Sequence, residues 1–243
     1  MKRAKTLGFI LFSFLISSYA VIRFKNDLTK QNLKGSVKYI LETKFIPNIK
    51  FGEVKSWDKQ FTNDYLYNGN GNLDEENDYG SLGGLAHKTK YKYDNSFKLI
   101  DKNDYKYDGS LSFRFSYKYV DVENLILIDW FESDGRLYRK FIQKYDDKGN
   151  LIKISAYSSE GKLDAITTYK YNEMGLQIQE DGLGHLVFKY DENNNLIEQV
   201  NSAPATKVIY TYELYDKVGN WLKKTEFIDG IPTEMIERKI EYY

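Results

Sequence analysis

Few side chains in this sequence are of the types that catalysis or metal binding usually requires. The chain has two histidines, His87 and His185, and no cysteine. Thiolate metal sites and disulfides are therefore excluded, and no His-x-x-x-His pair is present to form an ordinary zinc site. Neither histidine has a nucleophile motif such as Gly-x-Ser-x-Gly beside it. We predict that both histidines are exposed, His87 in an irregular segment and His185 in a turn. We also predict that the chain uses no metal and no cofactor.

Carboxylates are abundant, with 35 Asp and Glu residues, but the sequence singles out no catalytic pair. The segment Asp191–Asn195 resembles the start of an EF-hand loop, yet Leu196 and Ser202 stand where that loop needs Gly and Glu. A turn is the prediction there. One acidic cluster could hold calcium weakly, or be a solvated loop: Asp74, Glu75, Glu76 and Asp78. A carboxylate pair for glycoside hydrolysis stays open, because its geometry is tertiary.

The remaining candidate residues are aromatic. Trp57, Trp130 and Trp221, with exposed tyrosines, could form a platform for sugar rings or for a protein partner. The alternative is that these rings pack against neighbouring strands. We take the three tryptophans as tentative ligand-binding residues.

A recurring heptad indicates which elements position these side chains. The phrase Tyr-Asp-x-x-Gly-Asn-Leu occurs at Tyr145–Leu151 and, in looser form, at Tyr190–Leu196 and Tyr215–Trp221. The Asp starts a turn by bonding its own backbone, and the Gly or Asn tolerates the positive φ that a short hairpin loop needs. Each copy therefore predicts a turn between two β-strands.

Aromatic alternation precedes these turns, as in Tyr91-Lys92-Tyr93 and Tyr169-Lys170-Tyr171. A period of two places both rings on one sheet face and the lysine on the other. Turn glycines recur every 12 to 14 residues between Gly135 and Gly175. The sequence thus predicts an all-β fold of antiparallel hairpin repeats, forming an elongated twisted open sheet or a β-solenoid in one domain, residues 21–243.

Three segments interrupt this pattern. Residues 27–35 read as a short linker, and the first strand, 36–45, is expected to end at Pro47. Residues 68–88 read as a long flexible loop, and residues 201–206 as a shorter break.

Residues 1–20 have the layout of a signal peptide. Lys2, Arg3 and Lys5 precede an apolar run, and Ser18 and Ala20 supply small residues before a cut. An uncleaved anchor is the alternative. Both predict an exported protein of the periplasm or cell surface, and the absence of cysteine excludes a lipoprotein. With 35 basic and 35 acidic residues, the chain offers no electrostatic case for binding nucleic acid.

The heptads resemble the YD repeats of Rhs-type proteins, and the chain is similar to small exported YD-repeat proteins of the Bacteroidota. Leu33–Lys38 matches their opening Leu-x-Gly-x-Val-Lys, and Glu237–Tyr243 matches their closing Glu-Arg-x-Ile-x-Tyr-Tyr. The resemblance implies an exported β-repeat protein and supplies no catalytic residues. Large Rhs proteins form a shell around a toxic domain, and this chain is too short for such a closed shell.

From these observations we expect a non-catalytic binding or scaffold protein of the cell envelope. Its partner would be an envelope protein or glycan, with no membrane insertion beyond the N-terminal segment. The alternatives are an envelope glycan hydrolase using unidentified carboxylates, and an immunity-like partner of a contact-delivered toxin.

Overall fold

A computed structural model describes residues 25–243, which form one antiparallel β-barrel. A short α-helix, α1 (Asp27–Lys30), precedes the barrel, and a 3-10 turn lies at Asp121–Glu123. The strands are β1 (Val37–Lys50), β2 (Glu53–Tyr67), β3 (Leu73–Tyr79), β4 (Leu85–Tyr93), β5 (Leu99–Lys106), β6 (Leu111–Val120), β7 (Leu125–Glu132), β8 (Leu137–Tyr145), β9 (Leu151–Ser158), β10 (Leu163–Tyr171), β11 (Gln177–Asp181), β12 (His185–Tyr190), β13 (Leu196–Ser202), β14 (Ala205–Tyr215), β15 (Trp221–Ile228) and β16 (Ile231–Tyr242). The predicted signal peptide lies outside the described residues. No helix within residues 25–243 is long and apolar enough to cross a membrane.

The first strand pairs with the last, which closes the sheet. β1 pairs with β2 on one side and with β16 on the other, in a register that places Val37 opposite Tyr242 and Phe45 opposite Met235. The prediction of an open sheet or solenoid is therefore wrong. An open sheet would leave two long rows of unpaired N–H and C=O groups, and ring closure satisfies them. The chain is long enough to close on itself, as a single-layer barrel.

The predicted hairpin turns are present with the expected chemistry. Asp146 Oδ1 accepts hydrogen bonds from the N–H groups of Lys148 (3.0 Å) and Asn150 (2.8 Å), and Gly149 has φ +79°. A bulge follows, where Tyr145 pairs with Leu151. The turn that begins at Asp191 repeats the same side-chain hydrogen bonds. The EF-hand-like segment is thus a turn, as predicted.

Several inward-facing tyrosines join successive hairpins through their hydroxyl groups. The Tyr171 hydroxyl donates to the Leu151 carbonyl at 2.8 Å, and Tyr93 donates to the Leu73 carbonyl at 2.7 Å. Tyr212 bonds Leu196 in the same way at 2.8 Å. Each such ring crosses from its own strand to the first residue of an earlier return strand, and so ties one repeat to the next.

The two faces of the barrel wall differ in composition. On β4, Tyr91 and Tyr93 face the lumen, and Lys90 and Lys92 face outward, as their alternation requires. The lumenal direction is identified by α1, because Leu28 packs inside the barrel against a core of tyrosine and aliphatic side chains. That core is small: Leu28, Val37, Ile40, Tyr67 and Leu73.

The N-terminal segment 25–36, which we call the cap, crosses one end of the barrel. Alternate hairpin turns meet at this motif end, among them 146–150, 191–195 and 216–220. Lys25 donates to Asn150 Oδ1 at 3.2 Å, and the Lys34 N–H donates to Asn220 Oδ1 at 2.8 Å. The predicted linker therefore contacts turns around the ring. The Asn of the repeat is buried at each of these turns, because it faces the cap: Asn150, Asn195 and Asn220.

The segment 68–88 is not the flexible loop that we predicted. It contains β3 and the first four residues of β4, 85–88, joined by a turn at 80–84. The acidic cluster alternates along β3, so Glu75 faces outward and Glu76 faces the lumen. On the outer face Glu75 forms an ion pair with Lys88 at 2.7 Å. Neighbouring strands thus stabilise a segment whose own sequence looks irregular.

β1 and β2 extend beyond the barrel as a two-stranded arm, residues 46–61. The prediction that Pro47 ends the first strand is wrong, since β1 continues to Lys50. Pairing with β16 does end at Phe45, close to Pro47 and Pro232, and neither proline has an N–H to offer the ladder. The arm ends at Phe51, which is fully exposed.

Asn220→Ala tests whether the cap stabilises the fold. The Asn220 side chain accepts from Lys34 and donates to the Lys34 carbonyl and to the Tyr242 hydroxyl, both at 2.8 Å, in a buried position. Removing it leaves buried backbone groups unpaired, and we expect the free energy of unfolding in urea to fall by about 1–3 kcal/mol. The control is Asn193→Ala at an exposed turn position, with an effect under about 0.5 kcal/mol. Equal effects would contradict a stabilising cap.

Alkaline pH should unfold the barrel. Burial raises the pKa of Tyr119 and of Tyr171 to about 12, and raises the pKa of Tyr65, Tyr67 and Tyr91 further. Unfolded tyrosines ionise near pH 10, so the free energy of unfolding should fall as pH rises above about 10. Tyrosinate absorbance and far-UV circular dichroism should change together in one steep transition. Most tyrosines titrating near pH 10 with the β signal intact would contradict this.

Candidate functional site

The lumen is the candidate site, because barrels of 16 or more strands usually enclose more space than their side chains fill, and this ring has 16 strands. Most inner-wall residues are accordingly half-buried. Tyrosines dominate the wall towards the motif end, including Tyr65, Tyr91, Tyr117, Tyr145, Tyr171 and Tyr212. Charged residues follow towards the open end, including Glu42, Glu76, Asp104, Arg139, Lys224, Glu226 and Arg238.

Arg238 on β16 forms an ion pair with Glu42 inside the lumen. Its Nε donates to Glu42 Oε1 at 2.7 Å, and its guanidinium carbon lies 3.4 Å from the centroid of the Trp221 ring. The Tyr212 ring lies 5.5 Å from Trp221. The Arg238 and Glu42 side chains are only 11% and 17% exposed, so this pair interacts in a low-dielectric setting.

Lys224 is a second cation beside this pair. Its ammonium lies 5.4 Å from the Tyr210 ring centroid and 5.5 Å from that of Trp221. Burial lowers the pKa of Lys224, and the charge of Glu42 opposes that shift. No carboxylate among residues 25–243 lies within 4.0 Å of this ammonium. The two aromatic faces and the charge of Glu42 therefore both offset the burial of this ammonium.

An acidic patch lies on the inner faces of β3 and β5. Glu76 and Asp104 are both register partners of Thr89, so they lie two strands apart, about 10 Å between Cα atoms. Burial raises the pKa of Glu76, although the Tyr91 hydroxyl opposes this by donating a hydrogen bond at 3.0 Å. Thr89 donates to Asp104 at 2.9 Å. The wall therefore holds two carboxyl groups in unlike environments.

The three tryptophans do not meet. Trp130 on β7 stacks near Phe115 and Phe141, with centroids 5.3 and 6.3 Å away. Trp221 lies on β15, half of the ring away, beneath Arg238. Trp57 lies in the arm opposite Pro47. The rings of Trp130 and Trp221 thus contact wall residues, and their proposed role in ligand binding stays a prediction.

The other candidate residues are dispersed. His87 is exposed on β4, and His185 begins β12, with Nδ1 2.5 Å from Asp181 Oδ1. Both lie in strands and not in the turn and irregular segment expected. Within the described part of the chain, no group of three His, Cys, Asp or Glu residues is placed to hold a metal ion.

A depression of about 630 Å³, broadly open to solvent, lies at the open end, and we call it the cavity; it was not anticipated from the sequence. It lies between the turns that follow β7 and β9, and its lining includes Glu132, Tyr138, Arg139, Ser158 and Asp164. Neither an unusual spacing nor a motif marks these residues, so no sequence signal could have found them. A smaller cavity of about 370 Å³ lies beside Thr167 and Leu186.

The outer wall carries a lattice of cross-strand ion pairs. Arg114 and Asp101 lie 2.9 Å apart, and Glu198 contacts both Lys189 (2.6 Å) and Lys207 (2.9 Å). Like the Lys88–Glu75 pair, these residues occupy the middle of their strands on the outward face. The outer surface of this barrel therefore carries paired charges, beside exposed apolar residues such as Leu66, Ile166 and Val187.

No protein-family model and no curated protein matches this chain. Among solved structures, a porin-like protein from Bacteroides uniformis ATCC 8492 aligns over 86% of this chain and 98% of its own, with TM-score 0.61 and 13% identity. A porin-like protein from Bacteroides vulgatus ATCC 8482 gives TM-score 0.30 and 12% identity over 85% of this chain and 98% of its own. A TcdB2-TccC3 structure gives 0.29 and 15% over 74% of this chain and 10% of its own. The chain shares its fold with the first of these proteins. The YD-repeat resemblance stays a prediction.

Glu42→Ala tests the buried pair. It leaves the Arg238 guanidinium without its carboxylate in the wall, and we expect a loss of about 3 kcal/mol in the free energy of unfolding. Glu213→Ala is the matched control, because the Glu213–Lys223 pair (3.0 Å) lies on the outer wall with Glu213 55% exposed, and should cost under about 1 kcal/mol. Urea unfolding measures both. A loss for Glu42→Ala as small as the control would contradict a buried pair.

Proposed function

We propose that this protein is a non-catalytic binding protein of the cell envelope, and that its ligand enters the lumen from the open end. The observation that carries the proposal is the lumen itself. The cap crosses its motif end, and half-buried polar and aromatic side chains line its wall. Concave sites that combine apolar surface with a few placed polar groups are where proteins usually bind small ligands.

The outer wall supports a barrel that stands in water and not in lipid. Transmembrane barrels present an apolar band to the bilayer, and a Lys or Arg at the bilayer midplane costs about 2–4 kcal/mol. Here Lys189, Lys207 and Arg114 lie on that face, each paired with a carboxylate. The aromatic face, which a bilayer would favour, points into the lumen.

The envelope location rests on two further observations. Residues 1–20 have the pattern of an export signal, and the fold is that of a porin-like protein. A water-filled compartment outside the inner membrane, or the cell surface, fits both together with the paired charges on the outer wall.

Affinity capture of envelope extract on the full-chain protein tests the proposal, with half of the extract treated with protease. Thr167→Arg with Thr206→Arg narrows the lumen from two half-buried inner-wall positions, and we expect at least a tenfold loss of captured ligand. The matched control, Thr168→Arg with Thr211→Arg, introduces two arginines at exposed outer-wall positions of the same two strands. Equal capture by both variants would show that the outer surface binds, and would overturn the proposal. Survival of capture after protease treatment distinguishes a glycan from a protein.

Glycan hydrolysis is a second candidate function, favoured by the Glu76–Asp104 arrangement. Inverting glycosidases place an acid and a base about 6.5–9.5 Å apart, with the acid's pKa raised. The test measures reducing ends released from envelope glycan. Hydrolysis would be established if Glu76→Gln abolishes this release and Glu75→Gln, at the outward-facing neighbour, retains it. Absence of turnover by the unaltered protein would remove this candidate.

A further inference from the structure

We infer that the cavity of about 630 Å³ at the open end binds an uncharged sugar ring of a glycan, with Tyr138 as its platform. This inference rests on the proposed binding function and names the class of ligand. The cavity lies between the turn joining β7 to β8 and the turn joining β9 to β10. Its size falls within the range of about 300–1,000 Å³ that is usual for small-molecule sites.

Tyr138 offers a more exposed aromatic surface than Trp130 and Trp221, which are half-buried in the wall. Its side chain is 44% exposed and lines the cavity. Trp130 contacts the ring with its centroid 4.6 Å away at an interplanar angle of 69°, and the Arg139 guanidinium carbon lies over the ring, 5.9 Å from its centroid. An exposed ring in a fixed orientation matches the C–H face of a pyranose, and it loses little conformational freedom when a ligand stacks on it.

The charges that line the cavity are balanced. Arg136 pairs with Glu132 at 2.7 Å, and Arg139 approaches Asp164 at 3.4 Å. A charged ligand would have to compete with one of these pairs, and a neutral ligand would not. This balance favours an uncharged ligand over a uronate or a phosphate.

The polar groups suit a ligand with many hydroxyls. Glu132 and Asp164 accept hydrogen bonds, Arg139 donates them, and Ser158 and Ser159 do both. A hydroxyl can donate to a carboxylate and accept from a guanidinium at the same time. The long 3.4 Å contact between Arg139 and Asp164 leaves both groups with capacity for such bonds.

Isothermal titration of the full-chain protein with oligosaccharides tests the inference. The neutral probes are maltohexaose, cellohexaose, mannohexaose and chitohexaose, and the acidic probe is a hyaluronan hexasaccharide. We expect at least one neutral probe to bind, Tyr138→Ala to weaken it at least tenfold, and Tyr138→Phe to retain it, because the ring supplies the contact. Tyr107→Ala is the matched control, since Tyr107 is a 73% exposed tyrosine at another open-end turn outside the cavity.

Three outcomes overturn the inference: none of the neutral probes binds, the acidic probe binds more tightly than all of them, or Tyr138→Ala binds as the unaltered protein does. Retained binding by Tyr138→Phe shows that the tyrosine position tolerates change without loss of the fold. The two proposals can fail separately. If Tyr138→Ala still captures envelope material through the lumen and no neutral probe binds the protein, the proposed function stands and only this inference is removed.

Discussion

Pairing between β1 and β16 is the interaction on which the rest of this structure depends. The register places Val37 opposite Tyr242 and Glu42 opposite Arg238, so the seam joins the first and last strands of the described chain. It removes both free edges, encloses a lumen, and brings the Glu42 carboxylate to the Arg238 guanidinium. Without the seam the same hairpins would form an open sheet that encloses no lumen, and the cap would have no ring of turns to contact.

The cap uses the same repeat that forms the hairpins. The turn Asp accepts hydrogen bonds from backbone N–H groups of the turn, and the Oδ1 of the buried Asn faces the cap, where Asn150 accepts from Lys25 and Asn220 accepts from Lys34. One heptad thus serves local turn formation and long-range contact with the cap. This explains why a segment that reads as a linker, 27–35, is ordered against turns more than 100 residues away in sequence.

The alternation along each strand separates two environments with different roles. Outward-facing pairs such as Arg114–Asp101 place charges on the outer wall, and inward-facing tyrosines give the lumen a large aromatic surface. Towards the open end, charged inner-wall residues and the Tyr138 cavity supply directional contacts. Together they support the proposed binding within the lumen, since specificity in such sites comes from a few placed polar groups on an apolar background.

The local structure could be predicted from residues a few positions apart: the turns after Tyr145, Tyr190 and Tyr215, and the division of Tyr and Lys between two faces, follow from backbone and side-chain chemistry. Ring closure, the ordering of 68–88 and the cavity around Tyr138 arise only in the folded barrel. Each depends on partners far apart in the chain, such as Glu42 with Arg238, and no local pattern encodes which edge a strand will meet. The position of Trp130 shows the same limit, because its neighbours Phe115 and Phe141 come from other strands.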